Sequence, residues 1–333
     1  MTAPEHEEAV SGRAGRREGG EIPGGHGGRR KPAWLKQRTP APGRYRATGV
    51  LLDELDLHTV CREARCPNRG ECYSAGTATF LILGDVCTRA CRFCAVKGED
   101  KSGTPAGVCA VDPDEPRRVA EAARRLGLRH VVVTSVTRDD LEDGGAAQFA
   151  AVVAAVREAL PGTTVEVLIP DLGGDRDALR TVLVACPDVL NHNLETVPRL
   201  YTLARPGASY RRSLELLARA AEWARSPGGA PTSQGVGGAA ARPLVKTGLM
   251  VGLGESADEV AALLADAAES GVDVVTVGQY LQPEAGCLPV RRYVPPAEFA
   301  ALRRRGEELG MTVVAAPFVR SSYKAGELLG SGG

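Results

Sequence analysis

Aromatic residues make up only 4% of the 333-residue chain, so a core must be built mostly from aliphatic side chains. Excess charge is absent too: 41 basic residues are matched by 41 acidic ones, for a formal net charge of zero. A chain without a net field has no global means of holding nucleic acid or an anionic membrane. The basic runs Arg16-Arg17 and Arg303-Arg304-Arg305 are short and read as a solvated tail and a helix face. No apolar run approaches the roughly 18 residues of a membrane span, and the first residues lack the apolar centre of a signal peptide. These absences point to the cytoplasm, with no nucleic acid and no membrane as partner. Nine cysteines suit a reducing compartment, where clustered thiols are more often metal ligands or catalysts than disulfides.

What is present is an ordinary soluble composition, 43% hydrophobic and 25% charged. The most informative stretch is Cys87-Thr88-Arg89-Ala90-Cys91-Arg92-Phe93-Cys94, three thiols at C-x3-C-x2-C spacing. It follows Thr79-Phe80-Leu81-Ile82-Leu83-Gly84, which reads as a buried strand. Closed zinc and iron–sulfur sites usually take four protein ligands. Three thiols from one loop leave a coordination position open for chemistry. A zinc knuckle with a distant fourth ligand is the competing reading, although the three-residue gap is unusual for zinc. A second group, Cys61, Cys66 and Cys72, has C-x4-C-x5-C spacing, with Pro67 and Gly70 allowing tight turns. Two trios within 34 residues indicate two metal centres; a single site drawing ligands from both groups is the alternative. Of the other thiols, Cys186 sits on an apolar face and reads as core, and Cys109 and Cys287 as incidental.

The rest of the chain is repetitive. Residues 1–30 are rich in Gly, Arg, Glu and Pro and read as a disordered tail. An N-terminal extension follows over 31–78, with a strap at Lys31–Lys36 and helical apolar spacing from Leu51 to Thr59. Apolar runs at 79–84, 130–135, 164–170, 188–193, 244–251 and 272–278 read as strands. Helical patterns at 114–126, 146–160, 175–184, 213–224, 257–270 and 296–309 alternate with them, and 312–314 is a last short strand. Six βα units with right-handed crossovers make an α/β fold, and a closed eight-unit barrel typically needs about 250 residues. The expectation is therefore a partial (βα)6 TIM-type barrel over 79–310, with its site at the C-terminal strand ends. Residues 226–242 have the composition of a flexible insertion, and 311–333 form a C-terminal extension.

The Cys87 stretch and its preceding strand resemble the radical S-adenosylmethionine (SAM) superfamily. The resemblance implies that Cys87, Cys91 and Cys94 hold a [4Fe–4S] cluster whose fourth iron chelates SAM. It also implies that an electron from the cluster cleaves SAM to methionine and a 5′-deoxyadenosyl radical. Phe93 would pack beside the adenine; a core aromatic of the loop is the bland reading. A SAM-like ligand needs acceptors for an ammonium, donors for a carboxylate and partners for ribose hydroxyls. At the strand ends Ser135, Asn193, Glu195, Arg205 and Gln279 are suitable. For Glu195 or Arg205 the alternative is a helix-terminus ion pair, and His192 reads as a hydrogen-bonded core residue.

Over residues 31–327 the resemblance narrows to the lipoyl synthase family. It is carried by Cys66-Pro67-Asn68, Cys87-Thr88-Arg89, Thr137-Arg138-Asp139-Asp140-Leu141, Asn191-His192-Asn193-Leu194-Glu195-Thr196, Gly278-Gln279-Tyr280-Leu281-Gln282-Pro283 and Arg320-Ser321-Ser322-Tyr323. By that resemblance Cys61, Cys66 and Cys72 bind an auxiliary [4Fe–4S] cluster. Its fourth ligand is a serine oxygen of the Arg-Ser-Ser-Tyr motif, Ser322 with Ser321 the alternative. The implied reaction is insertion of two sulfur atoms, taken from the auxiliary cluster, at C6 and C8 of a protein-bound octanoyl-lysine. It consumes two SAM per lipoyl group. Implied partners are an octanoylated lipoyl carrier (glycine cleavage H protein or the 2-oxoacid dehydrogenase E2 component) and an electron donor such as ferredoxin or flavodoxin. Rival readings are another sulfur-inserting radical SAM enzyme of the biotin synthase kind, and a non-catalytic zinc or iron–sulfur module. Three departures stand out: Gln148 and the Gly286-Cys287 pair replace family histidines, and 226–242 exceeds the usual connection.

Overall fold

The computed structural model describes residues 31–36, 42–98, 107–226 and 242–329. The expected tail at 1–30 and nearly all of the 226–242 insertion lie outside them. The chain divides into Met1–Lys31 and a compact unit, Pro32–Gly333, which is the one treated below.

Its centre is an eight-stranded sheet. Seven strands are parallel: β1 (Thr79–Ile82), β2 (His130–Ser135), β3 (Thr164–Leu168), β4 (Val189–Asn191), β5 (Leu244–Val251), β6 (Val274–Gln279) and β7 (Thr312–Ala315). Helices α1 (Glu115–Leu126), α2 (Ala146–Ala159), α3 (Arg176–Val184), α4 (Tyr210–Arg225), α5 (Ala257–Glu269) and α6 (Pro296–Glu308) join successive strands. These are the six expected βα units, followed by a seventh strand. The eighth strand is His58–Thr59, antiparallel to β1 through His58–Leu81 and Thr59–Phe80. Strand order is linear, so the barrel stays open.

The strands are mostly apolar because both faces are covered, and the polar residues they bury, Glu166, Asn191 and Lys246, bond to one another. Every residue of β1 and of β6 is buried. Helix α1 buries Val119, Ala120, Ala122 and Ala123 and turns Arg117 and Arg124 to solvent. It stops at Gly127, whose φ of 67° suits the left-handed cap that glycine adopts without strain. Helix α5 begins on a capping box between Ser256 and Glu259. Each buried Val or Leu side chain contributes about 1.5–3 kcal/mol relative to exposure.

The N-terminal extension differs from expectation. Its helix is Pro42–Glu54, earlier than the apolar spacing at 51–59 indicated. Asp56 takes a φ of 48°, which ends helical continuation, and His58–Thr59 joins the sheet. Within the strap, a 3-10 turn at Ala33–Leu35 buries Leu35 and leaves Trp34 exposed.

Candidate active site

The Cys87 loop leaves β1 through Leu83 and Gly84, both at positive φ (67° and 91°). A two-residue parallel ladder then closes it, Val86–Cys87 against Lys97–Gly98. Three strand ends hold the loop. Thr88 N and Oγ1 both donate to Thr137 O at 3.0 Å, beyond β2. Arg89 donates to Asp139 and to Asp171, beyond β2 and β3. Arg92 N donates to Ala204 O at 2.9 Å, beyond β4.

Within the loop the thiols converge. Cys87 Sγ accepts from Arg89 N at 3.4 Å and Thr137 N at 3.3 Å; Cys94 Sγ accepts from Val96 N at 3.5 Å. Burial pushes the Cys94 thiol up to about 12, with Cys91, Cys87 and Glu195 adding to the rise. Burial raises Cys91 too, against the lowering pull of Arg205. Ligation here must therefore displace protons.

The end of β4 faces these thiols. Glu195, at a φ of 66°, is half-buried, and burial raises its carboxyl against the opposing pull of Arg205. Asn193 Nδ2 donates to Glu195 Oε1 at 3.0 Å. Arg205 Nη1 donates to Asn193 O at 3.0 Å and to Tyr201 OH at 3.1 Å, and its guanidinium lies 5.3 Å from the Tyr201 ring centroid. Arg205 Nε and Ser135 Oγ are buried without a hydrogen-bond partner in the protein. Unpartnered buried polar atoms are costly, and these two are suited to a polar ligand.

A second trio lies in the extension. Cys61 sits in the short helix Val60–Glu63, capped by Thr59 Oγ1, and Cys72 in Arg69–Ala75. Burial raises Cys61 to about 11 and Cys72 to about 12, and Cys66 as well. Cys66 feels the lowering pull of Arg320 and Arg69. The C-terminal segment crosses to this loop: Asn68 Nδ2 donates to Phe318 O at 2.7 Å, and Tyr323 OH donates to Glu71 Oε1 at 2.8 Å.

None of the nine cysteines is in a disulfide. Among the described residues, no three His, Cys, Asp or Glu side chains gather tightly enough to hold a single metal ion. A four-iron cluster spreads its thiolates over separate irons, so it needs a wider ring of donors. Each trio offers three free thiols, buried or half-buried and within electrostatic reach of one another, which is the donor chemistry such a cluster takes.

Comparison with known proteins decides the family. The Radical SAM superfamily profile matches residues 81–267. The chain is 53% identical over 297 residues to a lipoyl synthase of Nitratidesulfovibrio vulgaris, covering 89% of this chain and 91% of that one. It belongs to the lipoyl synthase family. A second relative, the lipoyl synthase of Thermus thermophilus, is 50% identical over 301 residues, covering 89% and 86% of the two chains. Among solved structures, HydG, a maturase of the [FeFe]-hydrogenase, matches with a TM-score of 0.52 at 17% identity. That match covers 75% of this chain and 53% of HydG, and shows the fold alone. Membership of the radical SAM superfamily brings a [4Fe–4S] cluster and SAM to the chain.

Against this lipoyl synthase background the expected residues fall into three sets. Cys87, Cys91, Cys94, Asn193, Glu195, Arg205 and Ser135 lie on the loop and strand ends described above. Phe93 is partly buried and packs against the core. Gln279 is different: it is fully buried, its Nε2 donates to Tyr280 O and Arg292 O, and its Oε1 accepts from Val294 N. Both amide hydrogens serve the backbone, so Gln279 staples the segment after β6.

His192 is the expected core residue, bonded to Ile169 O and Ser213 Oγ at 2.9 Å each. One thiol reading is corrected. Cys186 is half-exposed, at a φ of 57° after α3. Cys287 is buried and its Sγ lies 3.4 Å from Cys94 O, because the segment after β6 leans on the thiol loop. Sequence reasoning also missed Arg320, half-buried and within electrostatic reach of both Cys66 and Glu195. Gln148 is absorbed structurally, donating to Asp112 O and Glu115 Oε2 at 2.9 Å each.

Proposed function

We propose that the protein inserts two sulfur atoms at C6 and C8 of an octanoyl chain amide-linked to a lysine of a lipoyl carrier. The carrier is the glycine cleavage H protein or the 2-oxoacid dehydrogenase E2 component, and the compartment is the cytoplasm. One observation supports the reading above others. The Arg-Ser-Ser-Tyr segment is bonded on one side to the Cys61–Cys72 loop and on the other to Asn193. No described helix is long and apolar enough to cross a membrane.

Cys87, Cys91 and Cys94 would hold one [4Fe–4S] cluster; Cys61, Cys66 and Cys72 with Ser322 would hold a second. When bound, the first supplies the electron that cleaves each of two SAM molecules, and the second supplies the sulfur. The substrate C–H bonds carry no acidic proton, so no side chain of this chain serves as the base that breaks them. The protein's own work is positioning. Glu195 would accept from the SAM ammonium, and Arg205 and Ser135 would donate to carboxylate or ribose oxygens. Phe93 would cover the adenine. Walls of aliphatic side chains would keep water from the radical. Ferredoxin or flavodoxin would deliver the electron.

The test is turnover of an octanoylated carrier peptide with SAM and reductant, using anaerobically reconstituted protein. The expected product carries two added sulfurs in place of two hydrogens. SAM cleavage with an unaltered peptide would contradict the reading.

A further inference from the structure

The Arg-Ser-Ser-Tyr segment carries two adjacent serines, and the first has a partner in the barrel. Ser321 Oγ donates to Asn193 Oδ1 at 2.7 Å. Asn193 Nδ2 then donates to Glu195 Oε1 at 3.0 Å. With its oxygen on Ser321, the Asn193 amide can turn only its NH2 toward Glu195, so the serine fixes which way round the amide sits. Strand β5 leaves the space for this chain of bonds. A Cβ on Gly248 would lie 2.5 Å from Ser321 Oγ, 2.7 Å from Thr276 Oγ1 and 2.8 Å from Asn193 Oδ1. Two residues beyond Ser321 the segment touches the other site, where Tyr323 OH donates to Glu71 Oε1 at 2.8 Å, and Arg320, just before the serine, lies within electrostatic reach of both Cys66 and Glu195.

We propose that Ser321 is a positioning residue that couples the SAM site to the auxiliary-cluster site. Its bond to Asn193 holds Asn193 and Glu195 in the orientation that receives SAM. SAM held there in turn steadies the segment that carries Ser322. The inference rests on the function proposed above for Glu195 and Ser322. Coupling of this kind is reciprocal: whatever Ser321 gives to SAM binding, SAM returns to the seating of the segment.

The experiment uses full-length, anaerobically reconstituted protein and SAM itself as the probe. Equilibrium binding is measured for wild type, Ser321→Ala, Asn193→Ala and the double variant. Loss of one hydrogen bond in the network is expected to weaken SAM binding about 3- to 10-fold in Ser321→Ala. The double variant should bind no more weakly than Asn193→Ala alone, because the serine acts through the amide. Gly248→Ala reaches the same bond from the opposite side and should weaken binding alike. In a second readout, SAM should slow amide hydrogen exchange across 316–324 in wild type and much less in Ser321→Ala.

Unchanged affinity together with undiminished SAM-dependent protection of 316–324 would overturn the coupling and leave the proposed function standing. Additive effects in the double variant would overturn the route through Asn193. Failure of the wild type to bind SAM would overturn the proposed function and the coupling with it. Should Ser321→Ala not fold, Gly248→Ala and the wild-type exchange pattern carry the test.

Discussion

Arg89 Nη2 donates to Asp171 Oδ1 at 2.6 Å, with both side chains withdrawn from water, 8% and 0% exposed. The same guanidinium donates through Nε and Nη2 to Asp139 at 2.8 Å each. A residue between Cys87 and Cys91 thus clamps the thiol loop to the ends of β2 and β3. Burial opposes ionised Asp171; the bond and charge of Arg89 outweigh it and hold the carboxyl below the usual range.

Replacing Arg89 with alanine leaves Asp171 with one cation, Arg212, whose Nη1 is 3.6 Å from Oδ2, and one backbone donor, Gly173 N at 3.3 Å. Breaking a buried pair from one side costs about 3–5 kcal/mol. Urea unfolding should show that loss. Arg89→Lys should recover only part of it, since an ammonium lacks the fork that reaches two carboxylates. An Arg89→Ala midpoint equal to wild type would contradict the clamp.

The barrel interior holds a second buried pair. Lys246 Nζ donates to Glu166 Oε1 at 2.9 Å, both side chains 1% exposed, and Asn191 Nδ2 adds a bond to the same oxygen at 2.9 Å. Lys246→Met should cost about 3–5 kcal/mol by stranding the carboxylate. Lys246→Met with Glu166→Leu should regain most of it. A double variant as unstable as the single would show that the charges are not each other's main support.

The imidazole of His192 is pushed down to about 4 by burial, with Arg205 adding to the fall. Unfolded histidine titrates near 6.5. Between those values the unfolded chain gains a proton that the folded one refuses, so stability falls as pH falls from about 6.5 to about 4. The full effect is about 3 kcal/mol. His192→Gln should flatten that part of a stability-versus-pH profile; an unchanged slope would sink the assignment.

Cys287 sits beside the thiol loop without belonging to either trio. Cys287→Ala should lower stability by about 1 kcal/mol and leave iron content unchanged. Loss of iron in that variant would make Cys287 a ligand and contradict the assignment of the trios.

The strands were legible because buried parallel strands are rich in β-branched apolar residues, as in Val131–Val133 and Val274-Val275. Helix α4 was placed three residues late, starting at Ser213, although Ser209 is a readable cap whose Oγ accepts from Arg212 N at 3.4 Å. His58–Thr59 was hidden because pairing with β1 is a tertiary fact that apolar periodicity does not encode. The thiol spacings marked the two candidate sites, since ligands from one loop are local in sequence. Arg320, Cys287 and the Ser321–Asn193 bond were not legible. Each depends on segments more than a hundred residues apart meeting at the barrel mouth.

The proposed function requires two clusters, one on each trio. The direct measurement is an iron and acid-labile sulfide count on anaerobically reconstituted protein, wild type against Cys61→Ala/Cys66→Ala/Cys72→Ala. About eight irons falling to about four in the triple variant is the expected result. About four irons in both proteins would contradict it, removing the auxiliary cluster and the sulfur-insertion chemistry that depends on it.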